Sequence, residues 1–234
     1  MKIMHLHCIL TEPIMRIYNR YYVLDKTDKF CHRVYVMNNM ETTKKKSFDI
    51  EDYLYRVKSF HGHLAPGVVI GGYMVHLANT QMPEGILFDA ISETPACVPD
   101  AIQLLTPCTV GNGWLKIINL GRFALSLYDK YHGNGVRVFL DTGKLENWPE
   151  IKDWFLKLKS RAEQRQEDIL SQIREAGSEI CSVRPVQIKT EFLKKRDKGK
   201  IEICSSCKEA YPLRDGIICL ACQGSSPYIS SDIA

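Results

Sequence analysis

The sequence predicts a mixed helix-and-strand domain followed by a small tail that needs a metal ion to fold. Three observations carry this. Apolar residues recur at helical spacing from Ile50 onward, and short β-prone runs separated by Gly-containing turns follow between Gly85 and Leu140. Four of the nine cysteines then fall within nineteen residues near the C-terminus.

The elements follow in order. Residues 1–46 alternate polar, aromatic and aliphatic side chains and end in Lys44-Lys45-Lys46. Within them Tyr18 to Leu24 and Arg33 to Met37 have strand composition, so the segment reads as an extension or edge hairpin. Asp49 is a capping residue, and Ile50, Tyr53, Leu54 and Val57 follow at i, i+3, i+4 and i+7. This predicts a helix ending at Phe60-His61-Gly62-His63. Pro66 suits the first turn of a second helix, because its missing N–H has no partner there anyway. That helix runs to about Asn79, and Gly67, Gly71 and Gly72 inside it imply close backbone packing. Gly85 to Ser92 reads as a strand and Pro99 to Leu105 as a short helix. Trp114 to Leu120, Phe123 to Tyr128 and Val136 to Leu140 read as strands, with turns at Gly121 and Gly133-Asn134-Gly135. Pro149 opens a helical stretch, as one helix or two, through about Ala176, and Gly177 fits its stop. Val183 to Phe192 reads as a last strand.

The chain has 234 residues, 45% hydrophobic and 25% charged. That supplies a core for one large domain or two smaller ones and excludes disordered, fibrous and membrane-spanning classes. A net charge of +4 does not demand a polyanionic partner. The first residues, Met-Lys-Ile-Met-His-Leu-His-Cys, do not make a signal peptide. The longest apolar stretch, Ala65 to Leu77, contains His76 and is too short to span a bilayer. A cytoplasmic protein with reduced thiols is expected. Nine is odd, which excludes complete disulfide pairing, and close Cys pairs in a reducing compartment point to metal ligands or catalysis.

Cys204-x-x-Cys207 and Cys219-x-x-Cys222 are separated by eleven residues. Each pair supplies two thiolates from one tight knuckle, and a hairpin through Tyr211, Pro212 and Asp215-Gly216 returns the chain to bring the pairs together. Four soft ligands at this spacing predict a structural zinc ion that supplies the tail's folding free energy. A redox dithiol would need a thioredoxin-like strand–helix context, which these residues lack.

Two further pieces carry chemistry. In Phe60-His61-Gly62-His63-Leu64-Ala65-Pro66-Gly67, two His flank a Gly where two helices meet, and a Gly turn can bring both to one metal or substrate. A satisfied structural His pair is the commoner meaning of such a pattern. In Thr106-Pro107-Cys108-Thr109-Val110-Gly111-Asn112-Gly113, a Cys sits in a small, polar loop whose N–H groups can form an anion nest and lower a thiol pKa. The alternative is a turn with a buried Cys. Cys97 precedes the short helix and fits the core. Cys8, Cys31 and Cys181 read as ordinary buried thiols.

His61-Gly62-His63-Leu64-x-Pro66-Gly67, Gly72-Tyr73, Asp100-Ala101-Ile102-Gln103, Thr106-x-Cys108-Thr109-x-Gly111-x-Gly113 and Gly135-Val136-Arg137-Val138 occur in this order. Together they resemble the FmdE family, named for the E subunit of formylmethanofuran dehydrogenase, over residues 47–140 and again over 201–224. The four-cysteine tail resembles the zinc-ribbon or treble-clef tail of many members. The resemblance implies an α+β core with a mostly antiparallel sheet packed with helices, followed by a small four-cysteine zinc-binding domain. It divides the chain into residues 1–46, a core of 47–193, and a basic linker with the tail over 194–234. It also implies that His61, His63 and Cys108 meet in one cleft able to hold a second transition metal. The family usually has Cys where this chain has Ala65, and losing that thiol favours a weaker, more open site.

The expectation is a metal-binding accessory subunit or metal-dependent enzyme linked to formylmethanofuran or molybdenum-type metabolism, as a homodimer or part of a complex, with no membrane partner and no assigned catalytic residue. The alternative is a zinc-ribbon module that binds nucleic acid or docks a protein. Between Lys189 and Lys200 six cations stand against Glu191 and Asp197, with Phe192 as the lone aromatic residue. That run reads as a solvated linker rather than a nucleic-acid groove.

Overall fold

The structure is a computed structural model that describes residues 48–194 and 199–229. The strand runs expected within residues 1–46 lie outside the described residues.

Helix α1 (Ile50–His61) starts where Asp49 accepts a hydrogen bond from the Asp52 N–H at 3.0 Å. Its helical-period residues Tyr53, Leu54 and Val57 are buried. Helix α2 (Pro66–Gln81) is buried from Gly67 through Val75, the pattern of a helix enclosed on all sides. Its glycines allow neighbours to approach. A Cβ on Gly71 would stand 2.7 Å from Ala101 Cβ, and one on Gly72 would stand 2.2 Å from the Tyr53 ring.

Strand β1 (Phe88–Ser92), helix α3 (Val98–Leu105), and strands β2 (Leu115–Ile117), β3 (Ala124–Asp129) and β4 (Asn134–Leu140) follow. Helices α4 (Pro149–Leu156) and α5 (Gln166–Ala176) then lead to β5 (Cys181–Gln187) and the short α6 (Thr190–Leu193). The five core strands form one sheet in the order β2-β1-β3-β4-β5. β1 and β2 run parallel, connected through α3, and every other neighbouring pair is antiparallel. The core is therefore α+β with a mostly antiparallel sheet. α2 packs against β3, β4, α3 and α5. Ala90, Leu125, Leu127, Val138 and Leu140 form one buried cluster with Val68, Ile70, Met74 and Ile102.

The structure shortens two expected strands and splits a third. β1 begins at Phe88 because its antiparallel partner β3 ends opposite, at Asp129. β2 keeps only the three residues that pair with β1. The strand expected over Val183 to Phe192 ends at Gln187, because that residue pairs with Asn134, the first residue of β4. Beyond it the ladder has no partner, Ile188 bonds to the Gly133 carbonyl, and the chain turns into α6. The helical stretch from Pro149 is two helices. It breaks at Lys157, in left-handed conformation, and restarts after a Ser160–Glu163 capping box.

The tail forms a two-stranded antiparallel hairpin, β6 (Ile201–Ile203) and β7 (Ala210–Pro212). Among the described residues no helix is long and apolar enough to cross a membrane.

Candidate metal centres

The tail brings its two Cys pairs together as their spacing predicts. Cys204 follows β6 and is buried, while Cys207 sits at the exposed tip of the knuckle. The Lys208 N–H closes the knuckle on the Cys204 carbonyl at 3.0 Å, and the Cys204 N–H bonds to Glu209. Tyr211, buried under the hairpin, donates to the carbonyls of Gly216 and Ile217 at 3.1 and 2.7 Å, which turns the chain back toward Cys219. All four ligand sulfurs lie within 4.8 Å of one another, and Cys207 Sγ is 3.6 Å from Cys219 Sγ. A tetrahedron with Zn–S arms of about 2.3 Å has S···S edges of about 3.8 Å, so these residues fit zinc. Backbone N–H groups of Cys219 and Cys207 directed at Cys204 hold its thiol down to about 6, in the thiolate form a metal requires. Four protein ligands close the site, so it is structural.

The His-Gly-His turn is built where two helices of the core meet. α1 ends at His61, and Gly62 caps it in left-handed conformation with its N–H on the Lys58 carbonyl. His61 Nδ1 is 2.6 Å from Asp100 Oδ2, in the first turn of α3. The His61 and His63 rings stand 4.8 Å apart between centroids. Gln166 of α5 donates to the Leu64 carbonyl at 2.7 Å and clamps the turn. Ala65, buried, is the N-cap of α2 and offers it no side-chain bond.

Cys97 belongs to this neighbourhood. A Cβ on Gly67 would stand 2.8 Å from Cys97 Sγ, so the thiol lies against the first turn of α2. Burial and then the charge of Asp100 push that thiol up. Its backbone is strained: φ is +59° and ψ −51°, with the Val98 N–H on the Ala96 carbonyl at 2.6 Å. This is the γ-turn geometry that non-Gly residues rarely adopt, and such strain clusters at functional sites.

Cys108 lies elsewhere. The Arg56 guanidinium donates to the Leu104 carbonyl at the C-terminal end of α3, while His61 meets Asp100 at its N-terminal end. α1 therefore runs antiparallel to α3, and Cys108 falls beyond the end remote from His61. Cys108 is fully buried, its Sγ donates to the Phe88 carbonyl at 3.5 Å, and burial foremost pushes its thiol up to about 11. The loop N–H groups are not free for an anion either. Those of Thr109 and Trp114 are taken by Asn112 Oδ1, that of Asn112 by Thr109 Oγ1, and that of Val110 by Gln103. So the structure brings His61 and His63 together but not Cys108 with them. Among the described residues, only the four tail cysteines form a group of three or more ligand atoms within 4.8 Å.

Asp100 and Cys97 are the neighbours that the residue pattern does not assign to the His pair. Asp100 stands in one of the family-like motifs, yet its contact spans 39 residues, and only helix packing creates it. Cys181 is a core thiol as expected, pushed up to about 12 by burial. Cys8 and Cys31 lie outside the described residues.

Comparisons with known proteins accord with this architecture. A family model described as "FmdE, Molybdenum formylmethanofuran dehydrogenase operon" matches residues 60–190, and one described as "FmdE treble clef zinc finger" matches residues 195–229. The chain is similar to the crystal structure of an FmdE-like protein of tungsten formylmethanofuran dehydrogenase from Syntrophus aciditrophicus. They share 56% identity and a TM-score of 0.72, over 78% of this chain and 96% of that one. It is also 31% identical over 195 residues to a probable S-adenosyl-L-methionine-binding protein of Archaeoglobus fulgidus. That match covers 74% of this chain but 52% of the relative, so the chain spans about half the relative's length. With the His-Gly-His turn, the mostly antiparallel core and the four-thiol tail in place, the chain belongs to the FmdE family and carries that family's treble-clef zinc finger.

Proposed function

We propose that this chain is a metal-binding accessory subunit or metal-dependent enzyme of formylmethanofuran or molybdenum-type metabolism, with a transition metal in the core and zinc in the tail. The observation that carries the core site is the 2.6 Å contact between His61 Nδ1 and Asp100 Oδ2. A carboxylate on one imidazole nitrogen fixes the ring and its tautomer and leaves Nε2 to bind a metal. His63 is the second ligand, from the same turn. Cys97 is the third, supported by its seat beside Gly67 and Asp100 and by its strained backbone. It takes the place first expected for Cys108, whose thiol is engaged with Phe88 and out of reach. Three protein ligands leave one position open, and a metal so held polarises a carbonyl or activates water. Ala65 adds no thiol, which keeps the site open.

Metal analysis of the purified full chain tests this reading. Two metals per chain are expected. His61→Ala and His63→Ala lose one and keep the tail zinc, and Cys108→Ser keeps both. Asp100→Asn weakens core-metal affinity about 10–100-fold, as loss of a ligand-orienting carboxylate does. A single metal per chain, unchanged by His61→Ala, sinks the core site and leaves the zinc finger standing.

A further inference from the structure

The tail is stitched to itself yet leaves one face bare. Ile201 pairs with Pro212 and Ile203 with Ala210, so these four share one face of the β6–β7 hairpin, while Tyr211 lies on the other face with the zinc knuckle. Ile201 is 55% and Ile203 71% exposed, and Ile217, just past the hairpin, is 91% exposed. So much exposed aliphatic surface on so small a module marks an interaction face. The hydrogen bonds that shape the module, Cys204 to Glu209, Leu213 to Lys200, Tyr211 to Gly216 and Ile217, and Gln223 to Asp215 and Ile218, all stay within the tail.

Charge says what covers this face. Residues 189–229 carry 8 basic and 5 acidic side chains, whereas residues 47–188 carry 14 basic and 17 acidic ones. Two tails packed together would oppose like charges, whereas a tail on a core joins opposite ones. In the folded chain its own core leaves the face exposed. The seven residues 194–200 extend at most about 25 Å, which lets the tail reach past its own core.

We propose that the apolar face of the zinc tail docks on the acidic core of a second copy of this chain, each tail covering its partner's core in a reciprocal homodimer. Reciprocal exchange satisfies two-fold symmetry with one pair of complementary surfaces. The proposal is independent of the core metal, because it uses only the tail hairpin and the charge of the core.

The test uses the zinc-loaded full chain at micromolar concentration. Light scattering is expected to give twice the 26.8 kDa chain mass. Ile203→Asp, with its tail zinc retained, is expected to weaken the dimer by at least about tenfold, as loss of a buried apolar anchor does. Ile201→Ser gives the same direction should the first variant lose zinc. In an equal mixture of unlabelled and ¹⁵N-labelled chains, carbodiimide links from Lys200 or Lys208 to core carboxylates are expected to join peptides of unlike label. A monomeric wild type, a dimer indifferent to both substitutions, or links confined to like-labelled peptides overturns the proposal.

Discussion

Gly72 shows how narrowly single residues are constrained. A Cβ there would enter the Tyr53 ring, and that ring cannot swing away, because it is buried and its hydroxyl donates to the Val68 carbonyl at 2.7 Å. Gly72→Ala is therefore expected to destabilise the core by about 1–3 kcal/mol through overpacking, read as a lower urea midpoint with unchanged slope. The glycines of α2 were legible in the sequence, because a glycine weakens an apolar helix unless a neighbour needs the space it leaves. His61 and His63 were legible too, as a pair on a glycine turn. Asp100 and Cys97 were not, because what joins them to the His pair is the packing of α1 and α2 on the first turn of α3. Cys108 drew attention for its polar loop. That polarity is spent internally, with Asn112 serving Thr109 and Trp114, so the loop is a self-satisfied turn over a buried thiol.

Between elements, the buried charges on the sheet matter most. Glu93, just past β1 and 5% exposed, receives two bonds from Arg137 of β4, at 2.6 and 2.8 Å, and one ion pair from Arg122 at 2.7 Å. Burial alone would raise its carboxyl, but the arginines override that and hold it below its ordinary value of 4.5. A depressed carboxylate contributes stability that is fully present above the unfolded value and is lost as pH falls through the lower folded one. Glu93→Gln is thus expected to cost about 3–5 kcal/mol at neutral pH, since it leaves Arg137 buried without its countercharge. The variant should also lose less stability than wild type on acidification below 4.5, which melting curves across that range would show. An equal acid loss in both proteins would assign the sensitivity to other carboxylates. The sequence marked helices more surely than strand ends. Asp49, Pro66 and Gly177 are punctuation that acts locally, and α1, α2 and α5 start or stop at them. The end of β5 depends on where β4 begins, a fact about another segment, and so the run to Phe192 read as one strand.

For the molecule as a whole, the division into core and tail is a division between two ways of staying folded. The core buries one continuous cluster built on α2 and the sheet, and burial on that scale holds a domain without a metal. Among the large side chains of the tail, Tyr211 is the one that is buried, and its work is to fix two carbonyls beside the cysteines. The composition change after Thr190 and the paired Cys made this division readable, because neither cue depends on tertiary contacts. Since the tail has almost no apolar interior, its folding free energy comes from its metal. Stripping zinc with a strong chelator should unfold the tail and leave the core intact. In thiol titration the count of fast-reacting cysteines should rise by the four ligands Cys204, Cys207, Cys219 and Cys222. Cys108 and Cys181 should stay protected, being buried and held as neutral thiols. Cys204→Ser should expose the other three in the same way without a chelator. Should Cys181 become reactive together with the tail thiols, the two parts unfold as one unit and the core depends on the zinc finger after all.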